Sequence, residues 1–347
     1  MGNKKKMVFN VLFLVLIFAG TIYGVFHGED IGQISDILQT VNPWWLIPGV
    51  VCVVVFIWGE SIIIHYMMRN LGVKVGRGTC FLFSSVGFFF SCITPSASGG
   101  QPAQIYYMKK KKIPIPVSTQ VLLIVTITYK LVLVLLGLGI AIFGQKFIHT
   151  YIDDVQWVFY LGLVLNVVCV AGMVLFAFHP SLAKAFVVKG SRLLEKMRFL
   201  RHKKSREEKL AASMEKYNQT ADYMMGHFGM LVVVFIITVV QRFSLFAATW
   251  FVYKAFGLVG ASAGLIILMQ GAIAVAVDML PLPGGMGISE KLFMEMFLPI
   301  FGSKLLLPGM ILSRGVGTDG QAQNSWYRKQ HIGRSPEYKT GKRWYIY

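Results

Sequence analysis

The sequence predicts an all-α integral membrane protein that crosses the bilayer several times. Of its 347 residues, 55% are hydrophobic and only 14% are charged, whereas soluble domains carry roughly 25% charged residues. The apolar residues form long runs, and Lys and Arg cluster between them. Two of the runs are interrupted by Pro and Gly at corresponding places in the two halves of the chain. This pattern is typical of an inverted-repeat transporter with two re-entrant broken hairpins.

The formal net charge of +18 does not indicate a nucleic-acid-binding protein. Such a protein gathers its cations on one folded surface, whereas here they follow the pattern that orients membrane helices. We therefore expect no direct nucleic-acid partner. The cysteines lie in or beside apolar segments without metal-ligand spacing, so we expect reduced, buried thiols and neither a metal site nor a cofactor. They are Cys52, Cys80, Cys92 and Cys169.

The first apolar run, residues 7–26, follows three lysines and is long enough to span the bilayer. No small-residue cleavage site precedes Glu29, so we predict an uncleaved first helix rather than a signal peptide. The connection 27–42 carries acids but no Lys or Arg. The positive-inside rule therefore predicts a cytoplasmic N-terminus.

Residues 44–68 form the predicted second span, which ends in a basic stretch starting at Arg69. The next apolar piece, 80–93, is too short to cross and runs into the helix-breaking segment 94–102. The basic residues 109–112 follow. A segment that enters from the cytoplasm, breaks and returns to the cytoplasm is a re-entrant hairpin, which is stable only where protein or water surrounds it.

Residues 117–143 are predicted to cross outward and residues 157–178 to return. The loop 179–227 carries eleven Lys or Arg against five acids, which indicates a cytoplasmic location. Two interpretations of this loop are open: an amphipathic segment lying on anionic headgroups, or a solvated basic linker. Residues 228–253 cross outward again.

The second predicted hairpin starts with residues 261–280, breaks at 281–290 and resumes at 291–301. By this topology it enters from the outside, opposite to the first hairpin. Two matched interruptions of this kind indicate a binding site at the interface between two repeats.

The predicted domain organisation is a transmembrane domain over residues 1–314 and a polar, basic tail over 315–347. Repeat one covers about 44–143, and repeat two begins at about 228. An inward span is expected after Lys304, but the apolar run stops about ten residues short of a span's length. Two interpretations are open, a natural cytoplasmic tail or a reading frame lost near Gly315, and composition favours the second.

Ionisable residues at membrane depth cost at least a few kcal/mol each, so each is a hypothesis about function. They are Glu60, with His65 in the same span, Lys130, Arg242, Asp278 and Glu290. One interpretation pairs them structurally, for example Glu60 with Lys130 or Arg242 with Asp278. The other places them along a substrate path, and we favour it because opposite charges near helix breaks suit a charged or zwitterionic headgroup.

The two breaks supply further candidate substrate-binding residues. Half-helix ends carry unpaired backbone groups, and glycines let a ligand approach the backbone closely. In the first break these residues are Ser96, Gly99, Gly100 and Gln101, and in the second they are Gly284, Gly285 and Gly287. A tight turn between two helices would use the same residues, so that interpretation stays open.

The segments TPSASGGQPAQIY (94–106) and PLPGGMGISE (281–290) resemble the paired motifs of the lysylphosphatidylglycerol synthase transmembrane family. This family is the flippase-like membrane region of the bacterial multiple peptide resistance factor, and the resemblance covers roughly residues 6–314. It implies a bacterial plasma-membrane protein that moves aminoacylated phosphatidylglycerol to the outer leaflet, where it contributes to cationic peptide resistance. In the family a separate soluble domain transfers lysine from its tRNA.

This sequence departs from the family pattern in two ways. Gln101 stands where members often carry an acid, which argues against a proton or cation role there. The soluble synthase domain is missing from the sequence, and no P-loop or other soluble-enzyme motif is present.

The sequence therefore predicts a flippase-like protein for an anionic or aminoacylated phospholipid, working by alternating access. Two alternatives are a phosphatidylglycerol lysyltransferase, as the family name implies, and a membrane scaffold for a separate soluble synthase. Lipid identity, energy source and homo-oligomerisation stay open.

Overall fold

The structure is a computed structural model that describes residues 36–94, 99–178, 204–280 and 287–316. The predicted first helix, 7–26, and almost all of the tail lie outside the described residues. The described part is helical, with a single 3-10 turn at Asp153–Val155. Its α-helices are α1 (Pro43–Asn70), α2 (Arg77–Ile93), α3 (Gly100–Lys110), α4 (Ile115–Phe143), α5 (Gln145–Tyr151), α6 (Gln156–Phe178), α7 (Lys204–Gly226), α8 (Phe228–Ala255), α9 (Ala263–Val277) and α10 (Ile288–Arg314).

Five of the described helices are long and apolar enough to cross a membrane: α1, α4, α6, α8 and α10. The first four confirm the spans predicted at 44–68, 117–143, 157–178 and 228–253. Large apolar side chains stay exposed along these helices, as expected of surfaces that face lipid rather than water. The chain is an all-α, polytopic membrane protein.

Helices α1 and α8 pack against each other in antiparallel orientation. Gln241 on α8 donates a hydrogen bond of 2.8 Å to the carbonyl oxygen of Phe56 on α1. Two turns earlier on α1, a Cβ added to Gly49 would lie 3.6 Å from the side chain of Phe251, further along α8. Residue numbers rise along one helix as they fall along the other, so the C-terminal ends of α1 and α8 lie at opposite ends of the bundle.

The first predicted hairpin is formed by α2 and α3. A Cβ on Gly87 of α2 would collide with the side chain of Gln104 on α3. Further toward the base, Cys80 and Phe83 share a buried apolar cluster with Met108. The two arms are therefore antiparallel, and the hairpin opens from the C-terminal end of α1.

The second predicted hairpin is formed by α9 and the first part of α10. Just before α9, the Ala261 N–H donates to the Tyr253 hydroxyl at the end of α8. Phe301, on the returning arm, packs edge-on against Tyr253 with 5.8 Å between ring centroids. The returning arm thus reaches the level at which the hairpin began. Because α1 and α8 are antiparallel, the two hairpins enter the bundle from opposite ends.

Helix α10 reverses direction at Gly302, where φ is 66° and ψ is 163°. Arg314 Nη1 lies 3.1 Å from Glu290 Oε1, although a straight helix would separate these residues by about 36 Å. The segment therefore consists of two short arms folded side by side, not one continuous span. The apolar run predicted after Lys304 is the second arm, and it is too short to cross.

Residues 204–226 of the loop 179–227 form α7, whereas residues 179–203 lie outside the described residues. Met214, Tyr217, Ala221 and Met224 are buried at helical spacing along one face. The Tyr217 hydroxyl donates to the carbonyl oxygen of Phe176, and burial raises the pKa of that phenol to about 12. This part of the loop is a packed helix, because its small and apolar residues recur every three to four positions.

The expectation of buried thiols is confirmed for Cys80, whereas Cys52 and Cys169 are only partly buried. Cys52, Cys80 and Cys169 are free, and Cys80 is fully buried. The side chain of Cys92 lies outside the described part of the chain.

Candidate functional site

Glu60 connects α1 to the first hairpin. Its Oε1 accepts a hydrogen bond of 2.6 Å from Nε2 of Gln104 on α3. Gln104 is only 3% exposed, and Gly87 leaves the space that its amide occupies. The carboxylate is therefore held at the inner side of the hairpin by a neutral donor.

Asp278 connects α4 to the second hairpin. It directly follows α9, and its Oδ2 lies 2.5 Å from Nζ of Lys130. The hydroxyl of Tyr129 donates to the other carboxylate oxygen. Lys130 Nζ also lies 2.9 Å from the Met279 sulfur. With both charged side chains largely buried, the pair fixes the end of α9 against the middle of α4.

Arg242 lies between these two groups. Its guanidinium carbon is 3.9 Å from the centroid of the Tyr129 ring and 4.9 Å from that of Phe56. Its Nε is buried without a hydrogen-bond partner, and within the described residues no ion pair involves its guanidinium. Its charge acts on Glu60, one turn beyond Phe56 on α1. Aromatic faces hold this cation while most of its donors stay available.

The pairings suggested as examples of a structural role differ from those observed. The sequence paired Glu60 with Lys130 and Arg242 with Asp278, whereas in the structure Lys130 pairs with Asp278 and Glu60 bonds to Gln104. The reason is the rotation of α4, which turns Lys130 toward the second hairpin.

Glu290 stabilises the local structure of α10. Its Oε2 accepts from the Gly287 N–H at 2.5 Å and from the Ser289 hydroxyl at 3.1 Å. Its Oε1 pairs with Arg314 across the two arms. Gly287 has φ of 88°, a left-handed conformation that favours glycine. Both residues shape the start of α10 beside the second break.

Residues 9–318 match the model of a protein family described as lysylphosphatidylglycerol synthase TM region. The chain belongs to this family. The match spans most of the 347 residues and includes both hairpins and the groups just described. No curated protein matches the chain.

The structure describes residue 94 and residues 99–106 of the first family motif. Gly99 N–H donates to the Thr94 hydroxyl at 2.9 Å. A Cβ on Gly100 would lie 2.1 Å from the Ser91 hydroxyl, so this glycine is needed for the close crossing of α2 and α3. Gln101 is exposed and donates to the hydroxyl of Thr126 on α4. Ser96 of this motif, and Gly284 and Gly285 of the second, lie outside the described residues.

Several residues that build the site were not predicted as such. Tyr129 holds both Arg242 and Asp278, and Gln104 holds Glu60. Gln104 lies inside the first motif segment, 94–106, one turn after Gly100, and Tyr129 is adjacent to Lys130. Proximity to ionisable membrane residues was the signal that could have found them.

The end of α9 is positioned by α6. Asn166 Nδ2 donates to the Val275 carbonyl oxygen at 3.2 Å, a group that the break leaves without a helical partner. A Cβ on Gly162 would lie 2.5 Å from the carbonyl oxygens of Val275 and Ala276. Close backbone contact thus fixes the position from which Asp278 reaches Lys130.

Proposed function

We propose that this protein moves an anionic or aminoacylated phospholipid, such as lysylphosphatidylglycerol, between the two leaflets. The headgroup would pass between the tips of the two hairpins, and the protein would lie in a bacterial plasma membrane with a cytoplasmic N-terminus. The starting points of the proposal are the family match and the membrane-helical fold.

Arg242 is the observation that carries the proposal. A cation that has no ion pair among the described residues is costly inside a membrane bundle, and a phosphate would neutralise it with bidentate hydrogen bonds. Glu60 lies nearby to accept the ammonium group of a lysyl headgroup. The arrangement offers one site of each sign, which suits a lipid that carries both charges.

The hairpins supply a route for alternating access. They enter from opposite ends of the antiparallel α1–α8 pair, and each contributes to the groups around Arg242. Separating the first hairpin from α1 would open the site to one leaflet, and separating the second from α4 would open it to the other.

Lysyl transfer is not part of this proposal. The groups described here are buried in a helical bundle, where a lysyl-tRNA could not reach them. Translocation requires only that a headgroup enter between the hairpins.

The test uses the full chain in proteoliposomes that contain lysylphosphatidylglycerol. Trinitrobenzenesulfonate, added outside, modifies only the amines of the outer leaflet. The wild-type chain should let the reagent consume the inner pool as well, because inner-leaflet lipid would cross during the reaction.

Arg242→Gln should abolish this second phase, and Arg242→Lys should slow it, because lysine cannot form the bidentate contact. Lys254→Gln, which removes one charge from the same helix away from the cluster, is the matched control. Transport by Arg242→Gln at the wild-type rate would overturn the proposal. A folded wild-type chain without any transport would favour the scaffold alternative.

A further inference from the structure

We infer that the outer face of α1 carries a binding site for one anionic phospholipid, separate from the groups around Arg242. Its phosphate would sit in a basic pocket at the C-terminal end of α1, and an acyl chain would lie in the groove between α1 and α8. This inference concerns binding alone and does not depend on translocation.

The pocket for the phosphate is a concavity formed by the last turns of α1 and the turn 72–76. Arg69 and Lys74 line it, and neither makes an ion pair with a described residue. None of the residues that line the pocket is acidic. Two exposed cations that face one concavity, with no acid among its described lining residues, suit a phosphate group.

The shape of the pocket is fixed by contacts within the protein. His65 Nδ1 donates to the Val75 carbonyl oxygen at 3.0 Å, which holds the turn against α1. Gly72 starts the turn with φ of 73°, a conformation that favours glycine. The pocket therefore does not need a ligand to form it.

The groove for the acyl chain ends on α1 at Ile62, one helical turn before His65 of this pocket. It is lined by Val55, Trp58 and Ile62 of α1 and by Ile237 and Val240 of α8. Trp58 is 56% exposed and Val240 is 59% exposed, so lipid can reach the groove.

Pocket and groove lie on one face of α1. The residues from Val55 through Trp58 and Ile62 to Arg69 are three, four and seven positions apart, as helical geometry requires for a common face. Val55 and Arg69 are about 21 Å apart along the axis, close to the depth of one leaflet with its headgroup layer. The charged end and the apolar stretch match the two ends of a phospholipid.

The experiment uses the full chain in phosphatidylcholine nanodiscs doped with phosphatidylglycerol carrying a diazirine midway along one acyl chain. After illumination, the labelled peptides are mapped. We expect label on the groove residues of α1 and α8, and much less label from the equivalent diazirine phosphatidylcholine.

Two double variants test the role of the pocket. Arg69→Gln/Lys74→Gln should lower labelling of the groove about ten-fold, because each cation near an anionic headgroup strengthens binding several-fold. Lys109→Gln/Lys111→Gln is the matched control, since it removes the same charge from exposed residues outside the pocket. Equal losses of groove labelling in both double variants would overturn the inference. Labelling of α6 as strong as that of the groove would also overturn it.

A competition separates a lipid from a soluble phosphate. Glycerol 1-phosphate in large excess should leave the labelling unchanged, because it lacks the chain that occupies the groove. Complete displacement by this compound would show that the pocket takes free phosphates, and would overturn the assignment to a lipid.

Discussion

The ammonium group of Lys130 lies 2.5 Å from a carboxylate oxygen of Asp278, and this contact joins the middle of α4 to the break after α9. The two residues are 148 positions apart in sequence. The side chains are only 9% and 16% exposed, so the pair is an internal one. The end of α9 is held by a charge that the first half of the chain provides.

Removing one partner of this pair should destabilise the protein. Lys130→Met leaves a largely buried carboxylate without its cation, at a cost of about 3–5 kcal/mol. We expect a clearly lower apparent melting temperature in detergent, and a recovery in Lys130→Met/Asp278→Leu, which removes both charges.

The exposed pair of His149 and Asp153, 3.3 Å apart on and beside α5, provides the control. Asp153→Asn should leave the melting temperature nearly unchanged, since both side chains are mostly in solvent. A Lys130→Met protein as stable as wild type would contradict the importance of the internal pair.

Tyr129 makes two contacts, one with Asp278 and one with Arg242, and two substitutions test them separately. Tyr129→Phe keeps the ring beneath Arg242 but loses the hydroxyl that donates to Asp278, at a cost of about 1 kcal/mol. Tyr129→Leu also loses the cation–π contact, worth roughly another 0.5–2 kcal/mol. In thermal unfolding, the melting temperature should be highest for the wild-type protein, lower for Tyr129→Phe and lowest for Tyr129→Leu. Equal stability of the two variants would mean that the ring does not support Arg242.

Because α6 lies very close to α9, a single methyl group added at this contact should have a marked effect on stability. In Gly162→Ala the new Cβ would lie 2.5 Å from two backbone carbonyl oxygens, so the helices must separate. We expect a lower melting temperature and slower lipid exposure, because Asp278 follows this contact directly. Gly172→Ala on the same helix meets nothing within 4 Å and should be harmless. Similar behaviour of the two variants would refute this account.

The reversal of α10 depends on the backbone of Gly302. No atom would collide with a Cβ there, but its φ of 66° is unfavourable for other residues. Gly302→Ala should therefore destabilise the protein by about 1–2 kcal/mol. Gly139→Ala also meets no neighbour and lies inside α4, where alanine is favoured by roughly 0.5–1 kcal/mol. If both substitutions changed the free energy of unfolding in the same direction, backbone strain at residue 302 would not be the cause.

The sequence was sufficient for the four spans at 44–68, 117–143, 157–178 and 228–253 and for the arms of the two hairpins, because hydropathy, basic clusters and Pro–Gly interruptions act locally. It was not sufficient for the partner of Lys130, which depends on how α4 is rotated against α9. The helix Lys204–Gly226 was missed because its mixed, charged composition hides a narrow buried face. A reversal between 301 and the inward run after Lys304 was part of the predicted topology, but nothing nearby singled out Gly302 among 35 glycines as the residue that makes it.

The turn at Gly302 changes the depth at which a nearby charge resides. If Ile288–Arg314 were one straight crossing, Lys304 would lie near the middle of the hydrocarbon, where a lysine is costly. With the chain reversed, Lys304 is exposed beside the end of α8, at the level of Tyr253 and Phe301. The ammonium group of Lys304 therefore lies at the surface of the protein and not in the membrane interior, and water-soluble amine reagents should reach it.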